Sequence, residues 1–280
     1  MKHIYVNFKR FDIPSSFGGV NRIAPVKEYA SYIIREVLPS LSKYKDTEFV
    51  HFYPEAHLIE AVEAAKGSEL KIGCQGVYRD DVKEGGNFGA FTTNRPSSIV
   101  SAIGCTHTLI GHLEERNDKM ELLSLGGNKD PYLVNTILAK EVLSAQKRGL
   151  KVLYCVGERE NELDRWDEVI TKQLEIGLKD ADLSSVVIAY EPVWSIGPGK
   201  TPADKPYIEK VASLIHSVLG HTISVVYGGG LKEANAAMVA SCSGIDGGLI
   251  ALTRFSGEIG FYPDEYLKIV SLYLNGGEEK

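Results

Sequence analysis

The stretch VNFKRFDIP, Val6 to Pro14, closes the first apolar run of the chain and decides between two architectures. Both alternate strands with helices. An open, doubly wound sheet usually advertises itself here with a glycine-rich turn that cradles a phosphate. This run ends instead in Asn7 and Lys9. Polar side chains at a strand end suit a closed (β/α)₈ barrel, whose chemistry gathers at the C-terminal ends of its strands.

Working outward, seven more runs resemble the first: EFVHFY (48–53), LKIGCQ (70–75), HTLIG (107–111), KVLYCV (151–156), SVVIAY (185–190), ISVVYG (223–228) and GGLIAL (247–252). They are short and nearly all apolar, as parallel strands covered on both faces must be. Amphipathic segments lie between them. VKEYASYIIREVLPSL spaces Tyr29, Ile33, Val37 and Leu41 about one turn apart, and IEKVASLIHSVLG stops at Gly220, a glycine suited to ending a helix. There is no linker and no short repeat. The expectation is one α/β domain over residues 1–280, a TIM barrel of eight β-then-α units with extended loops after strands one and eight.

Hydrophobic residues make up 44% and charged residues 24%, enough for a sizeable core. The net charge of −6, with no clustered Lys and Arg, argues against a nucleic-acid partner. No apolar run is long enough to span a bilayer and no signal-peptide pattern opens the chain. Cys74, Cys105, Cys155 and Cys242 form no Cys-x-x-Cys pair, so they read as reduced core thiols of a cytoplasmic protein with no metal site.

The strand ends hold a short set of reactive groups. Asn7 and Lys9 follow the first strand, His112 and Glu114 the fourth, Cys155 the fifth, Glu191 the sixth, and Tyr227 to Gly230 the seventh. A Lys, a His and a Glu at three strand ends suit proton transfer beside a carbonyl. The Glu removes a carbon-bound proton, the His polarises the carbonyl, and the Lys offsets the developing negative charge. Behind Glu191 hangs a stiff, glycine-bounded loop in AYEPVWSIGPGKTP (189–202). A base at a rigid strand end is aimed, and a loop that closes over it keeps water from a reactive intermediate.

That fourteen-residue stretch resembles the strand-six signature of the triosephosphate isomerase family. VNFK, GAFT (89–92), IGHLEER, CVGE and YGGG resemble further segments of that family in the same order, across nearly the whole chain. The resemblance implies an aldose–ketose isomerase without cofactor, acting on a small anionic sugar phosphate and working as a homodimer. It implies that Glu191 is the base, His112 the electrophile, and Lys9 and Asn7 substrate contacts, with Glu114 orienting Lys9. Ile196, Gly197, Pro198 and Gly199 would form the lid. Gly197, Gly228, Gly229, Gly230, Ala251 and Leu252 would surround the phosphate, and Trp194 would anchor the lid.

The chain departs from the family pattern in several places. A Gly-Gly pair at the end of strand eight is here Ala251-Leu252, a serine after the glycines of strand seven is Gly230, and the serine after the histidine is Leu113. A Glu and an Arg that pair across the dimer become Asn94 and Glu115. Without the serine hydroxyl, Glu191 is expected to sit turned into the pocket even without ligand. The long loops RFDIPSSFGGVNRIAP and TRFSGEIGFYPDE are expected to rise together and rebuild the anion grip through Arg254 and the N–H groups of Gly18-Gly19. These departures keep two alternatives open: the same chemistry on another small sugar phosphate, or a non-catalytic metabolite-binding barrel.

Overall fold

The computed structural model describes residues 1–197 and 199–276. Eight parallel strands close in sequence order: β1 (Lys2–Asn7), β2 (Thr47–Tyr53), β3 (Lys71–Cys74), β4 (His107–Ile110), β5 (Lys151–Val156), β6 (Val186–Tyr190), β7 (Ser224–Tyr227) and β8 (Gly247–Ile250). The seam is real pairing, with Tyr5 of β1 opposite Leu249 of β8 and Val6 opposite Ile250. Helices α1 (Tyr29–Leu41), α2 (Leu58–Ala65), α3 (Ser97–Ile103), α4 (Leu113–Leu125), α5 (Leu133–Gln146), α6 (Trp166–Gly177), α7 (Lys205–Leu219), α8 (Ala236–Ala240) and α9 (Pro263–Leu274) cover the outside.

The apolar strands serve two cores because side chains alternate across a strand. Tyr5, Phe52, Leu109, Leu153, Cys155, Ala189, Val226 and Leu249 fill the barrel interior. Ile4, Val6, Tyr154, Ile188 and Val225 face the helices. The predicted helical stripe Tyr29, Ile33, Val37 and Leu41 is buried against this outer layer, and Gly220 takes a left-handed φ of 95° just past α7. All four cysteines are buried free thiols.

The same alternation decides what stands at each mouth. On β1, His3, Tyr5 and Asn7 share the inward face. His3 and Tyr5 join Glu48, His107 and Lys151 to close the N-terminal end. Burial alone would raise Glu48, but the His107 imidazole 3.5 Å away and the hydrogen bonds with His3 and Tyr5 hold its carboxyl well below the usual range. Asn7 is carried to the opposite mouth.

The two long loops meet at the seam. Pro14 bridges Asn21 within the first, Arg254 bridges Gly260 within the second, and Arg22 Nη1 donates to the Ile259 carbonyl at 3.4 Å.

Candidate active site

At the C-terminal mouth a cavity of about 370 Å³ gathers Asn7, Lys9, His112, Glu191, Gly197 and Gly230 among its lining residues. Glu191 follows β6 directly. Its backbone N–H donates to the Val156 carbonyl at 2.8 Å, which fixes the strand end, and its side chain is 93% buried. The carboxylate turns inward, with Oε1 3.7 Å from His112 Nε2. Beneath it lies the Cys155 thiol. Burial first, then the charge of Glu191, pushes that thiol well above its ordinary pKa, so it remains S–H. Gly228 leaves room for the base: a β-carbon there would stand 3.0 Å from Glu191 Cγ.

His112 caps α4. Its Nδ1 accepts the backbone N–H of Glu114 at 3.3 Å. An imidazole bonded this way carries its hydrogen on Nε2, the nitrogen that faces the pocket.

Lys9 adopts a left-handed φ of 44°, uncommon for a side-chain-bearing residue. Its N–H donates to Asn7 Oδ1 at 3.0 Å. Gln75, which carries no role in the sequence reading, holds the pair: its Nε2 donates to Asn7 Oδ1 and to the Lys9 carbonyl, each at 3.1 Å. A single amide after a strand offers no sequence signal for this.

Glu158 was legible only as part of CVGE. It is fully buried, and its Oε1 accepts Trp194 Nε1 at 2.7 Å, Tyr190 Oη at 3.0 Å and Tyr207 Oη at 3.1 Å. Burial raises its pKa against the pull of these donors. Trp194 thus ties the start of the loop to β5.

Several expected anion contacts lie elsewhere. Arg254 pairs with Glu265, Nη2 to Oε1 at 2.6 Å, and stacks on Tyr262 at 3.9 Å, so it does not line the cavity. Gly18 and Gly19 donate to Ser15 and Pro14 of their own turn. Gly229 lies behind the wall, its carbonyl taking the Tyr227 hydroxyl at 2.9 Å. Glu114 lines the cavity, but among the described residues it makes no ion pair with Lys9. What the long loops bring to the mouth is apolar: Phe11 from the first and Phe255 from the second. Ala251 and Leu252 do line the cavity, and among the described residues the backbone N–H groups of Gly230, Ala251 and Leu252 have no protein acceptor. Of the expected lid residues, Ile196 and Gly197 line the cavity, Gly199 lies outside it, and Pro198 is outside the described residues.

The triosephosphate isomerase profile matches residues 24–270. The chain belongs to the triosephosphate isomerase family. Triosephosphate isomerase of Lactiplantibacillus plantarum is 32% identical over 254 residues, covering 86% of this chain and 90% of that one. The protein of that name from Chlorobium phaeovibrioides is 36% identical over 196 residues, covering 66% and 71%. The crystal structure of triosephosphate isomerase from Bartonella henselae superposes with a TM-score of 0.73 at 25% identity, covering 98% and 99%. The family is the reference case for a glutamate base working beside a histidine whose imidazole is the electrophile.

Proposed function

We propose that the chain interconverts dihydroxyacetone phosphate and D-glyceraldehyde 3-phosphate through an enediolate. The observation that carries this is the approach of Glu191 Oε1 to His112 Nε2, 3.7 Å, in one cavity with Asn7 and Lys9. The Glu191 carboxylate takes a proton from the carbon beside the carbonyl, and the electron pair moves onto the carbonyl oxygen. His112 Nε2–H donates to that oxygen, and the Lys9 ammonium and the Asn7 amide lie against the growing charge. His112 Nε2 passes its proton to that oxygen and takes the one on the neighbouring hydroxyl, the proton held by Glu191 returns to the neighbouring carbon, and aldehyde and ketone are exchanged with no electron leaving the substrate. Gly197, Gly230, Ala251 and Leu252 meet the phosphate with backbone N–H groups. A coupled assay of glyceraldehyde 3-phosphate turnover tests the reading; no turnover, and no exchange of substrate hydrogen with solvent, would sink it.

One feature favours a second reading, the same chemistry on another small sugar phosphate. Phe11, Leu252 and Phe255 place apolar bulk at the end of the cavity meant for the anion. The double variant Ala251→Gly, Leu252→Gly is expected to lower KM for the triose phosphate several-fold, with kcat less affected. An unchanged KM, together with faster turnover of a larger sugar phosphate by the parent chain, would favour the second reading.

We further infer one domain, a homodimer and a cytoplasmic location. Closure of β1 onto β8 supports the first. For the second, the loop between β3 and α3 projects Phe88, 88% exposed, beside Phe91, which packs on Tyr78. An exposed aromatic at a loop tip is costly unless covered. Phe88→Asp is expected to shift the sedimentation coefficient from dimer to monomer at micromolar concentration; a parent chain that is already monomeric would refute the assembly. For the third, buried free thiols suit a reducing compartment. Among the described residues, no helix is long and apolar enough to cross a membrane.

A further inference from the structure

Gly111 stands directly before His112, and side chains from the first turn of α4 hold both polar groups of its backbone. Glu115 Oε2 accepts its N–H at 2.6 Å, and Arg116 Nε donates to its carbonyl at 2.7 Å. The site demands glycine: φ is +83°, and a β-carbon would stand 2.9 Å from the Cys155 carbonyl. Arg116 is itself fixed by Asn135 Oδ1 at 2.6 Å and the Cys155 carbonyl at 2.8 Å.

Glu115 is also joined to α5. Lys119 Nζ lies 2.7 Å from Glu115 Oε1 and 3.1 Å from Glu141 Oε1. Glu141 is almost fully buried, and its Oε2 has no donor among the described residues. The shared Lys119 ammonium holds the two carboxyl groups side by side. Two carboxyl groups share a site only when one holds a proton. The oxygen without a donor is the one that takes it, which puts the proton on Glu141.

We propose that Glu115, Arg116 and Glu141 are positioning residues for His112: they clamp the Gly111 peptide from both sides, and the Glu141 proton keeps the clamp closed. A side chain that only donates could not accept the Gly111 N–H from this position, so the clamp depends on the carboxylate of Glu115.

The surroundings explain how the proton is kept. The charged groups around the pair are Lys119 and Arg116 on α4 and Arg95, which adjoins Gly76 together with Glu115; the Tyr154 hydroxyl approaches from β5. Burial first, then the charge of Glu115, pushes Glu141 up to about 9. Burial works against Glu115 as well, but the bond from Glu141, the Lys119 charge and the Gly111 N–H hold it below the ordinary carboxylate range. When Glu141 loses its proton, two carboxylates compete for one ammonium. Repulsion and the shift of Lys119 then loosen the grip of Glu115 on Gly111.

The inference rests on His112 acting in the reaction proposed above, so the test pairs turnover with a signal that does not need it. The chain labelled with ¹⁵N-histidine is titrated from neutral pH into the alkaline range, recording the His112 resonances, kcat and KM. In the parent chain the resonances and kcat are expected to change together with a midpoint of about 9, while KM moves little. Glu141→Gln, which cannot ionise, is expected to lose that transition. Glu115→Ala is expected to displace the His112 resonances at every pH and lower kcat roughly tenfold through misplacement. Glu115→Gln still accepts the Gly111 N–H and is expected to restore both. An alkaline transition that survives in Glu141→Gln would overturn the proposal. So would a Glu115→Ala protein of lower Tm whose His112 resonances and kcat match the parent. Resonances that follow the pattern in a chain that turns over no triose phosphate would uphold the clamp and sink the proposed reaction instead.

Discussion

Glu191→Gln is expected to lower kcat for triose phosphate isomerisation by roughly three to four orders of magnitude, near the upper end of what a positioned base contributes. The amide keeps the volume and the packing over Cys155 and Gly228, so the fold is left alone. It has no acceptor basic enough to take a carbon-bound proton. Glu191→Asp separates position from basicity. It keeps the carboxylate but draws it back by one methylene, and a misplacement of about 1 Å costs on the order of a hundredfold. KM is expected to change much less than kcat in both variants, because the base acts on the transition state more than on the bound substrate. A continuous coupled assay, with circular dichroism as the check on folding, measures both. Glu191→Gln turnover within tenfold of the parent would mean that another group removes the proton.

His112 and Lys9 belong to the same argument at lower stakes. In the proposed reaction, the donor that Nε2 presents to the developing oxyanion is expected to be worth about a hundredfold to a thousandfold, as other such donors are. Its direction is set by the backbone N–H of Glu114, so this donor is built into the start of α4 rather than selected by solvent.

The residues that share the cavity were legible because barrel geometry converts strand ends into a single mouth. Once the apolar runs were drawn, Asn7, Lys9, His112 and Glu191 had nowhere else to go. The boundaries shifted by a residue or two, as for β3, read as 70–75 and observed as Lys71–Cys74, because strand ends are set by hydrogen bonding and not by hydrophobicity. The anion end was less legible. Arg254 looked like a free guanidinium, yet Glu265 stands eleven residues on, at the start of α9, and Tyr262 offers a ring face between them. Nothing in spacing alone says that the loop folds back to bring them together. Gly18 and Gly19 read as donors to a ligand and proved to be donors to a turn. Gln75 was invisible because its role is to hold backbone carbonyls and an amide that only the closed barrel brings within reach. Glu115 was noted only for the Arg it replaces. Its inward bonds to Gly111 and Lys119 depend on a partner, Glu141, a whole helix away in sequence.

Glu158 carries the second large expectation. Three donors converge on its Oε1, from Tyr190 at the end of β6, Trp194 at the start of the loop behind Glu191, and Tyr207 in α7. Glu158→Ala leaves these donors buried without an acceptor and opens a void among aromatic rings. Each stranded polar group costs about 1–3 kcal/mol, so destabilisation of roughly 3–5 kcal/mol is expected, short of a full sum because the rings can shift. Glu158→Gln behaves differently. Its carbonyl can accept the same donors, and the raised pKa of Glu158 means that the folded state already favours the uncharged form. The sign follows from linkage. A carboxyl raised in the folded state gives stability that is full below its unfolded pKa and is lost as pH rises through the folded value. Glu158→Gln is therefore expected to flatten that part of the pH dependence of stability, while Glu158→Ala lowers stability throughout. Urea unfolding across mildly acidic to neutral pH reads both effects. For turnover, release of the Trp194 tether lets the loop start wander, and Glu158→Ala is expected to lose at least tenfold in kcat where Glu158→Gln loses little. A Glu158→Ala protein as stable and as active as the parent would mean that Tyr190, Tyr207 and Trp194 find other acceptors, and that the loop is anchored by packing alone.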